Sequence, residues 1–145
     1  MPTPLVGLQQ LADGKRPPPP IARLIGFTLS AVSPGEAVVE LTTGPQHANP
    51  MGALHGGVLC DIANAAMGIA YASTLAEGET FATVELKINF LKPVWSAKLR
   101  AAGRLIKRGK TLGFLECDIL DEEQNLVARA SSTCMTLRGE QANGR

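Results

Sequence analysis

One long stretch in the middle of the chain, residues 47–76, constrains the fold more than any other part of the sequence. It opens with a polar turn that contains proline and glycine, passes through the triplet His55-Gly56-Gly57, and continues as a run rich in alanine and larger apolar residues. Apolar residues recur in this run at steps of about three and four residues, the period of a helix that buries one broad face. Alanine and glycine carry little side-chain bulk, so a sheet can pack closely against such a helix. We therefore predict a core helix with a sheet wrapped round it.

The size and charge of the chain exclude several kinds of protein. A chain of 145 residues has the usual size of one domain. Its net charge of +1 and its single tryptophan and tyrosine offer neither a basic surface nor the stacking platforms typical of nucleic-acid binding. No N-terminal stretch fits a signal peptide, and polar residues interrupt the apolar helix, so no membrane segment is predicted. The three cysteines are widely spaced, which is typical of reduced core residues in a cytoplasmic protein.

The sequence before the long helix divides into a lead-in and a hairpin. Residues 1–20 are predicted to form a short helix followed by an extended proline-rich segment. Residues 21–32 and 36–43 are predicted strands, joined by a Ser-Pro-Gly turn. A single domain is assigned to residues 21–138, and residues 139–145 are predicted to be a flexible tail.

The sequence after the long helix alternates between apolar and polar residues. Segments with the period of two that is typical of strands are residues 80–91, 97–107, 111–120 and 126–137. The short turns between the later segments make them antiparallel neighbours. The predicted fold class is therefore α+β, with one helix on one face of an antiparallel sheet. Since one helix cannot cover both faces of about six strands, we predict at least a homodimer, with a dimer of dimers as the larger alternative.

Residues that could carry chemistry are few, which removes several reaction classes. The two histidines and three cysteines do not have the spacing of a zinc site, and no serine lies in a nucleophile elbow, so no metal is predicted. A basic cluster, Lys107, Arg108 and Lys110, has two interpretations. It is either the solvated tip of a hairpin or a cationic surface that meets a nucleotide phosphate.

The His55-Gly56-Gly57 triplet lies where the long helix is predicted to begin. Two residues without side chains let a ligand approach the backbone amides at the positive end of the helix dipole, which is the geometry of a carbonyl-polarising site. Glycines at a helix start also serve close packing, and the histidine either stabilises the turn or contacts substrate. Asp61 and Asn64, the polar residues of the helix, share one side of it. They are either hydrogen-bonded structural residues or site residues.

Several of these motifs together resemble one family. Asn49, the His-Gly-Gly triplet, the alanine-rich helix and the sequence TVELKINFLKP at residues 83–93 are similar to those of PaaI-type acyl-CoA thioesterases of the hotdog superfamily. The similarity extends over most of the chain. It implies the hotdog fold, in which one long central helix is wrapped by an antiparallel sheet of about six strands.

The resemblance also implies an activity and an assembly. Members hydrolyse acyl-CoA thioesters to a free acid and CoA, and here a small or medium acyl group is implied, aryl groups included. They need no cofactor besides the CoA of the substrate. Their dimers usually pair again into tetramers, and the active sites lie at the dimer interface. The implied protein is thus a cytoplasmic homotetrameric hydrolase.

The resemblance assigns roles to residues by position. The amide of Gly56 would polarise the thioester carbonyl, and Gly57 beside it would contact the substrate. Asn49 and His55 would shape the loop and position water or substrate. Thr83 would help to orient the attacking water. The CoA phosphates would meet basic residues at the surface: Lys92, Arg108, Lys110 and Arg138.

One position departs from the family pattern. Members have an Asp or Glu nine residues after the histidine of the triplet, as general base or nucleophile, whereas this chain has Asn64. A carboxamide can neither take a proton nor attack a carbonyl, and loss of a general base typically lowers the rate about 10²- to 10⁴-fold. We therefore expect acyl-CoA binding with impaired hydrolysis.

Three explanations of Asn64 stand beside one another. The chain is an Asp-to-Asn variant that traps substrate, or it is a natural member that has lost activity and acts as a binder, or Asp61 supplies the carboxylate from one turn earlier. The functional alternative of another class is a non-catalytic acyl-CoA-binding or regulatory module. A hotdog dehydratase would need an acid/base histidine, for which the sequence offers His47 and His55.

Overall fold

A computed structural model describes residues 3–144 of the chain and shows helices packed against one six-stranded sheet. The helices are α1 (Pro4–Ala12), α2 (Pro20–Ile25) and α3 (Gly56–Ala72). The strands are β1 (Thr28–Ser33), β2 (Glu36–Thr42), β3 (Thr80–Phe90), β4 (Lys98–Arg108), β5 (Leu112–Leu120) and β6 (Leu126–Leu137). Short 3₁₀ turns cover Pro45–His47 and Gly139–Ala142. The predicted N-terminal segment includes residues 1 and 2, and the predicted tail includes residue 145; these lie outside the described part.

The sheet is antiparallel, and its strand order is β1-β2-β4-β5-β6-β3. The predicted hairpins β1–β2, β4–β5 and β5–β6 are confirmed. β3 pairs with β6 and not with β4, its next strand in the sequence, so it lies at one edge of the sheet. This placement brings Thr83 on β3 within reach of α3.

α3 is the core helix that the sequence predicts, and it contacts every strand of the sheet. Glycine makes the close approach possible, because a β carbon at Gly103 would lie 2.6 Å from the carbonyl carbon of Ala66. A β carbon at Gly113 would overlap the ring of Tyr71. That ring is fully buried, and its hydroxyl oxygen lies 2.6 Å from Thr136 Oγ1. The predicted α+β architecture, a helix wrapped by a sheet, is confirmed.

α3 ends at Ala72, four residues before the end of the stretch 47–76 that predicts it. The Ser73 hydroxyl donates to the Ala70 carbonyl oxygen at 2.6 Å, and the Thr74 hydroxyl donates to the Tyr71 carbonyl oxygen at 2.7 Å. Hydroxyls that bond to carbonyls of the last turn compensate those carbonyls for the missing helical donors and favour the end of the helix.

The predicted first strand, residues 21–32, is wrong over its first half. Residues of that half belong to α2, which has Pro20 at its first position and ends at Gly26 with φ of 96°. Proline suits the first turn because its missing N–H has no partner there, and glycine adopts the left-handed conformation that ends a helix. The apolar pattern alone did not distinguish this short helix from a strand, since Ile and Leu fit both.

The two edges of the sheet differ in their cover. α1 packs against β1 at one edge. β3 at the other edge carries large exposed apolar side chains, with Val84 57% and Phe90 55% exposed. On β4 and β5 further apolar side chains are exposed, namely Ile106, Leu112 and Phe114. In the described part of the chain, no helix combines the length and hydropathy that crossing a membrane requires.

Candidate active site

The loop that leads into α3 is held by a buried histidine. His47 is 5% exposed, its Nδ1 accepts a hydrogen bond from the Gly44 N–H at 3.0 Å, and its Nε2 lies 2.6 Å from the carbonyl oxygen of Ile25. Because a carbonyl oxygen only accepts, Nε2 carries the ring proton. Both ring nitrogens are therefore occupied, and His47 is not placed to serve as the acid or base of a dehydratase.

Asn49 organises the next turn of this loop. Its Oδ1 accepts hydrogen bonds from the N–H groups of Met51 and Ala53 at 3.0 and 3.1 Å. Its own N–H donates to the carbonyl oxygen of Ala53 at 2.6 Å. These bonds identify the carboxamide oxygen, so the other end of the group is the Nδ2 donor. Within residues 3–144 this Nδ2 has no acceptor, and it is free to donate to a ligand.

Some of the first N–H groups of α3 are hydrogen-bonded within the described part of the protein, and one is not. His55 is the N-cap, and its Nδ1 accepts from the Gly57 N–H at 2.8 Å. The carbonyl oxygen of His55 accepts from the Val58 N–H at 3.0 Å. The Gly56 N–H, by contrast, has no acceptor among the described residues. A free amide at the positive end of a 17-residue helix is available to donate to a negatively charged or polarised oxygen.

A cleft of about 590 Å³ opens in front of this amide, and we call it the Gly56 cleft. Its lining residues are Asn49, Met51, Ala53, Leu54, Gly56, Leu59, Phe90, Leu91, Lys92, Pro93, Val94 and Trp95. The Phe90 ring lies directly over Gly56, since a β carbon there would be 2.9 Å from Phe90 Cζ. Trp95 is 67% and Met51 78% exposed. Sequence reasoning missed a role for these three apolar side chains; the signal was large apolar residues near prolines, with Phe90 at the end of β3 and Met51 and Trp95 in loops.

Asn64 and Thr83 lie together beside a different cavity of about 310 Å³, the Asn64 cavity. Its lining residues are Leu8, Pro19, Ile21, Phe27, Asn64, Ala65, Gly68, Ile69, Ala72, Phe81 and Thr83. The Thr83 hydroxyl points to Asn64 Oδ1 at 3.5 Å, which is long for a hydrogen bond, and it also lies 3.7 Å from Cys134 Sγ. Apart from the amide and the hydroxyl, every side chain that lines this cavity is apolar.

The two groups of predicted site residues do not meet within one chain. Gly56 and Asn64 both belong to α3, but they are separated by about 12 Å along the helix axis. Gly56 and Asn49 line the Gly56 cleft, whereas Asn64 and Thr83 line the Asn64 cavity. A single thioester carbon cannot contact both groups of one chain.

Among the predicted phosphate-binding residues, Lys92 lies at the Gly56 cleft. Its Nζ is 2.6 Å from Asp121 Oδ2, and this hydrogen bond raises the pKa of the lysine above its ordinary value. The side chain is 43% exposed, so it is paired but still accessible.

The other predicted phosphate-binding residues gather near the opposite end of α3. The Arg108 guanidinium lies 4.8 Å from the centre of the Tyr71 ring and donates to Thr74 Oγ1 at 3.2 Å. Arg138 donates to the carbonyl oxygen of Lys110 at 2.6 Å. The β4–β5 hairpin tip predicted there is confirmed, and it is far from the Gly56 cleft of the same chain.

Other candidate reactive groups stand outside both cavities. Asp61 is partly exposed, lines neither cavity, and makes no hydrogen bond or ion pair within the described residues, so a structural bond to the neighbouring turn is not found. Burial raises the pKa of the Cys117 thiol to about 12 and raises the pKa of Cys134. Both thiols therefore stay protonated near neutral pH, as core cysteines do.

Comparison with known proteins gives a consistent result. The family model of the thioesterase superfamily matches residues 51–128. The 1,4-dihydroxy-2-naphthoyl-CoA hydrolase of Listeria monocytogenes is 30% identical, over 75% of this chain and 89% of its own length. The acyl-coenzyme A thioesterase PaaI of Escherichia coli is also 30% identical, over 74% of this chain and 75% of its own length.

The fold agrees with the sequence comparison. The solved structure of the E. coli PaaI protein from the phenylacetic acid degradation operon superposes with a TM-score of 0.81 at 26% identity, covering 91% of this chain and 94% of that one. The matched family region begins just after Asn49 and contains the α3 amides, Asn64 and Thr83. With its helix wrapped by an antiparallel sheet, the chain therefore belongs to the thioesterase superfamily and has the hotdog fold.

Proposed function

We propose that this protein binds acyl-CoA thioesters and hydrolyses them to a free acid and CoA, at a site that two copies of the chain form together. The acyl group is small or medium in length, aryl groups included. The observation that carries the proposal is the Gly56 N–H, which opens onto the Gly56 cleft and has no acceptor within residues 3–144. The names of the relatives, which are CoA thioesterases and hydrolases, support the CoA ester as the substrate class.

The chemistry assigned to the Gly56 cleft is polarisation of the thioester carbonyl. When water adds to that carbonyl, negative charge develops on its oxygen, and an N–H at the start of a helix stabilises this charge. The Nδ2 of Asn49, which lines the same cleft, supplies a second donor. The C–S bond then breaks, the acid leaves with the added oxygen, and CoA takes up a proton as its thiol. His55 acts as a positioning residue, because its ring fixes the first turn of α3.

The second half of the site comes from a second copy of the chain. Asn64 and Thr83 of one copy face the Gly56 cleft of the other, which removes the separation of about 12 Å that they have within one chain. The exposed apolar side chains on the edge strand β3, Val84 and Phe90, support a homodimer contact at this edge. The exposed apolar side chains on β4 and β5 support a further pairing of dimers into a tetramer.

Asn64 limits the hydrolytic step. Within residues 3–144, no aspartate or glutamate lines the Gly56 cleft or the Asn64 cavity. With Asn64 in place, the site can hold a thioester and a water molecule, but it has no carboxylate to accept a proton from that water. Slow turnover with retained binding follows from this absence. A non-catalytic acyl-CoA-binding module is favoured by the same observation and is the second candidate function.

The CoA nucleotide is assigned to the basic residues of the surface. Lys92, at the rim of the Gly56 cleft, meets the phosphates nearest the thioester. Arg108, Lys110 and Arg138 belong to the opposite end of α3, and they contribute phosphate contacts if the second copy brings its hairpin tip to the cleft. Gly57 contacts the pantetheine arm through its surface next to Gly56.

Restoring the carboxylate tests the proposal. Steady-state thioester cleavage, followed with a thiol-reporting dye, is compared for this chain and for Asn64→Asp. We expect kcat to rise about 10²- to 10⁴-fold, since a general base is gained. The matched control is Asp61→Asn, on the same exposed side of α3, which should leave the rate of the Asn64→Asp protein unchanged. A large loss in the control would instead assign the carboxylate role to Asp61.

Three other outcomes bear on the candidate functions. A rise in kcat of less than about tenfold would remove Asn64 from the reaction centre. Calorimetric affinity for acyl-CoA, combined with no turnover by either protein, would support the binding module. Absence of both binding and turnover would exclude acyl-CoA as the ligand.

A further inference from the structure

The Asn64 cavity has one wall that lies outside the matched family region. Leu8 of α1, Pro19 and Ile21 line the cavity opposite the α3 residues, and all three precede residue 51, where the family match begins. α1 is packed against β1 and α3, so this wall is part of the folded chain. The N-terminal segment is thus placed to shape the cavity.

Another cavity, of about 540 Å³, lies on the other side of the wall that Leu8, Pro19 and Ile21 form in the Asn64 cavity. Its lining residues are Pro4, Gly7, Leu8, Leu11, Arg16, Pro17, Pro19 and Ala72. The two cavities share three residues, Leu8, Pro19 and Ala72. The side chains of Leu8 and Pro19 therefore lie between the two cavities. Leu8 is the larger and more flexible of the two, and truncating it would join the cavities.

The contents of the Asn64 cavity are indicated by its lining. At one end are the amide of Asn64 and the hydroxyl of Thr83; the rest is apolar, and no titratable side chain belongs to the described lining. A group that enters from the reacting carbon therefore meets polar atoms first and hydrocarbon afterwards. This sequence of environments suits the acyl part of a thioester and does not suit the pantetheine arm, which carries amides that would be left unpaired.

We infer that Leu8 is the end wall of the acyl pocket and sets the maximum length of the acyl group. From Asn64 to Ala72 the pocket follows α3 for about 12 Å, which suits a medium-chain or single-ring acyl group and excludes long fatty acyl chains. The inference rests on the proposed function, because it takes the Asn64 end of the pocket as the position of the thioester carbon. Leu8 is a specificity-determining residue and takes no part in the chemical step.

The experiment changes the size of the wall in both directions. Leu8→Ala and Leu8→Trp are made in the Asn64→Asp protein, and kcat/KM is measured for straight-chain acyl-CoAs from acetyl to palmitoyl and for phenylacetyl-CoA. Leu8→Ala should raise kcat/KM for chains longer than the parent optimum, by about fourfold for each methylene newly buried. Leu8→Trp should lower kcat/KM for the longest accepted chains by a similar factor per methylene excluded. Acetyl-CoA should be affected by neither.

The matched controls are Gln9→Ala and Gln9→Trp. Gln9 is the next residue of α1, is exposed, and lines none of the cavities described above. These variants should keep the chain-length profile of the parent, which separates the effect of the pocket from that of a bulky residue on α1. Thermal unfolding of all four variants records whether α1 stays packed.

Each outcome has one meaning. Opposite shifts of the chain-length profile of kcat/KM in the two Leu8 variants support Leu8 as the end wall. A shift to longer chains in both also supports it, because a tryptophan that displaces α1 opens the same wall. Profiles identical to those of the Gln9 controls overturn the inference while leaving the proposed function intact. A parent protein that neither binds nor cleaves any of the acyl-CoAs overturns both.

Discussion

The Gly56 cleft and the Asn64 cavity are both built along α3, but different parts of the chain make them. In the cleft, the donor is a backbone amide, and hydrogen bonds of His47, Asn49 and His55 fix the loop that presents it. In the Asn64 cavity, the polar groups are two side chains joined by one long contact of 3.5 Å. Chemistry that depends on the backbone persists under most substitutions, whereas chemistry that depends on one side chain is lost with that side chain. The comparison explains how a chain can keep the proposed carbonyl-polarising amide in one cavity and carry Asn64 in the other.

The largest expected loss of activity follows removal of the backbone donor by Gly56→Pro in the Asn64→Asp protein. Gly56 is the first residue of α3, where proline is well tolerated, and His55 before it has φ of −66° and ψ of 133°, which suits a residue that precedes proline. Loss of one oxyanion donor should lower kcat about 10²- to 10³-fold. Steady-state kinetics, with thermal unfolding as a check of the fold, measures this.

The matched control for that change is Gly56→Ala. It adds a β carbon in the same place, against the Phe90 ring, but keeps the N–H. We expect the alanine protein to be much more active than the proline protein. Equal activity of the two would mean that the Gly56 amide donates to nothing in the transition state, and that any polarisation of the carbonyl in the cleft comes from Asn49 Nδ2.

A smaller effect is expected from Thr83→Val in the Asn64→Asp protein. The change removes the hydroxyl that points to position 64 and keeps the branched shape of the side chain. Since one hydrogen bond between the Thr83 hydroxyl and the neutral attacking water is worth about 0.5–1.5 kcal/mol, kcat should fall about two- to tenfold with little change in KM. An unchanged kcat would leave position 64 as the one reacting polar group of its cavity, and a loss near 100-fold would make Thr83 as important as the amide.

The smallest effect is a loss of stability in acid, and it concerns the rim of the Gly56 cleft only. Asp121 holds Lys92 at the rim of the Gly56 cleft, and the hydrogen bond from that lysine is the main cause that lowers the pKa of Asp121 to about 2 from an ordinary value of 3.8. Because the folded-state pKa is the lower one, this stabilisation is complete above the ordinary value and is lost as the pH falls toward about 2. The Asn64 cavity has no titratable residue in its described lining and should not respond.

Asp121→Asn tests this pH dependence. Denaturant unfolding at neutral pH should show a modest loss of stability, and the decrease in stability between about pH 4 and pH 2 should become shallower than in the parent. Glu123→Gln, in the same turn, serves as the control and should keep the steep decrease. A decrease of the same steepness in the Asp121→Asn protein would show that other carboxyl groups dominate acid unfolding.

Individual residues show why part of the fold was predictable. The alanine-rich period of α3 and the alternation in β3 to β6 are local patterns, so the sequence predicts a helix followed by strands. The strand prediction for residues 21–25 is wrong because a short apolar segment fits a helix and a strand equally well. Packing and the residues at the helix ends, Pro20 and Gly26, decide between the two. The pairing of β3 with β6 was not predicted, because no short turn joins those strands.

The candidate site also has residues that the sequence predicts and residues that only the structure shows. Gly56, Asn49 and Thr83 were named from motifs, and the structure adds that Gly56 keeps its amide free while the Gly57 amide is bound by His55. No site role was predicted for Phe90, Trp95 and Leu8, since an apolar side chain in a strand, loop or helix has no chemical signature. Their part in the cleft and the cavity depends on contacts between segments that are distant in the chain.

The amino-acid sequence by itself determined the core helix, the antiparallel strands, the polar residues that could react, and the carboxamide at position 64, because these are properties of residue type and local period. The tertiary structure alone decided that the Gly56 amide and Asn64 open into separate cavities and that α1 closes one of them. The physical reason is that burial, free donors and cavity walls arise where distant segments pack together, and no local pattern records which segments those are.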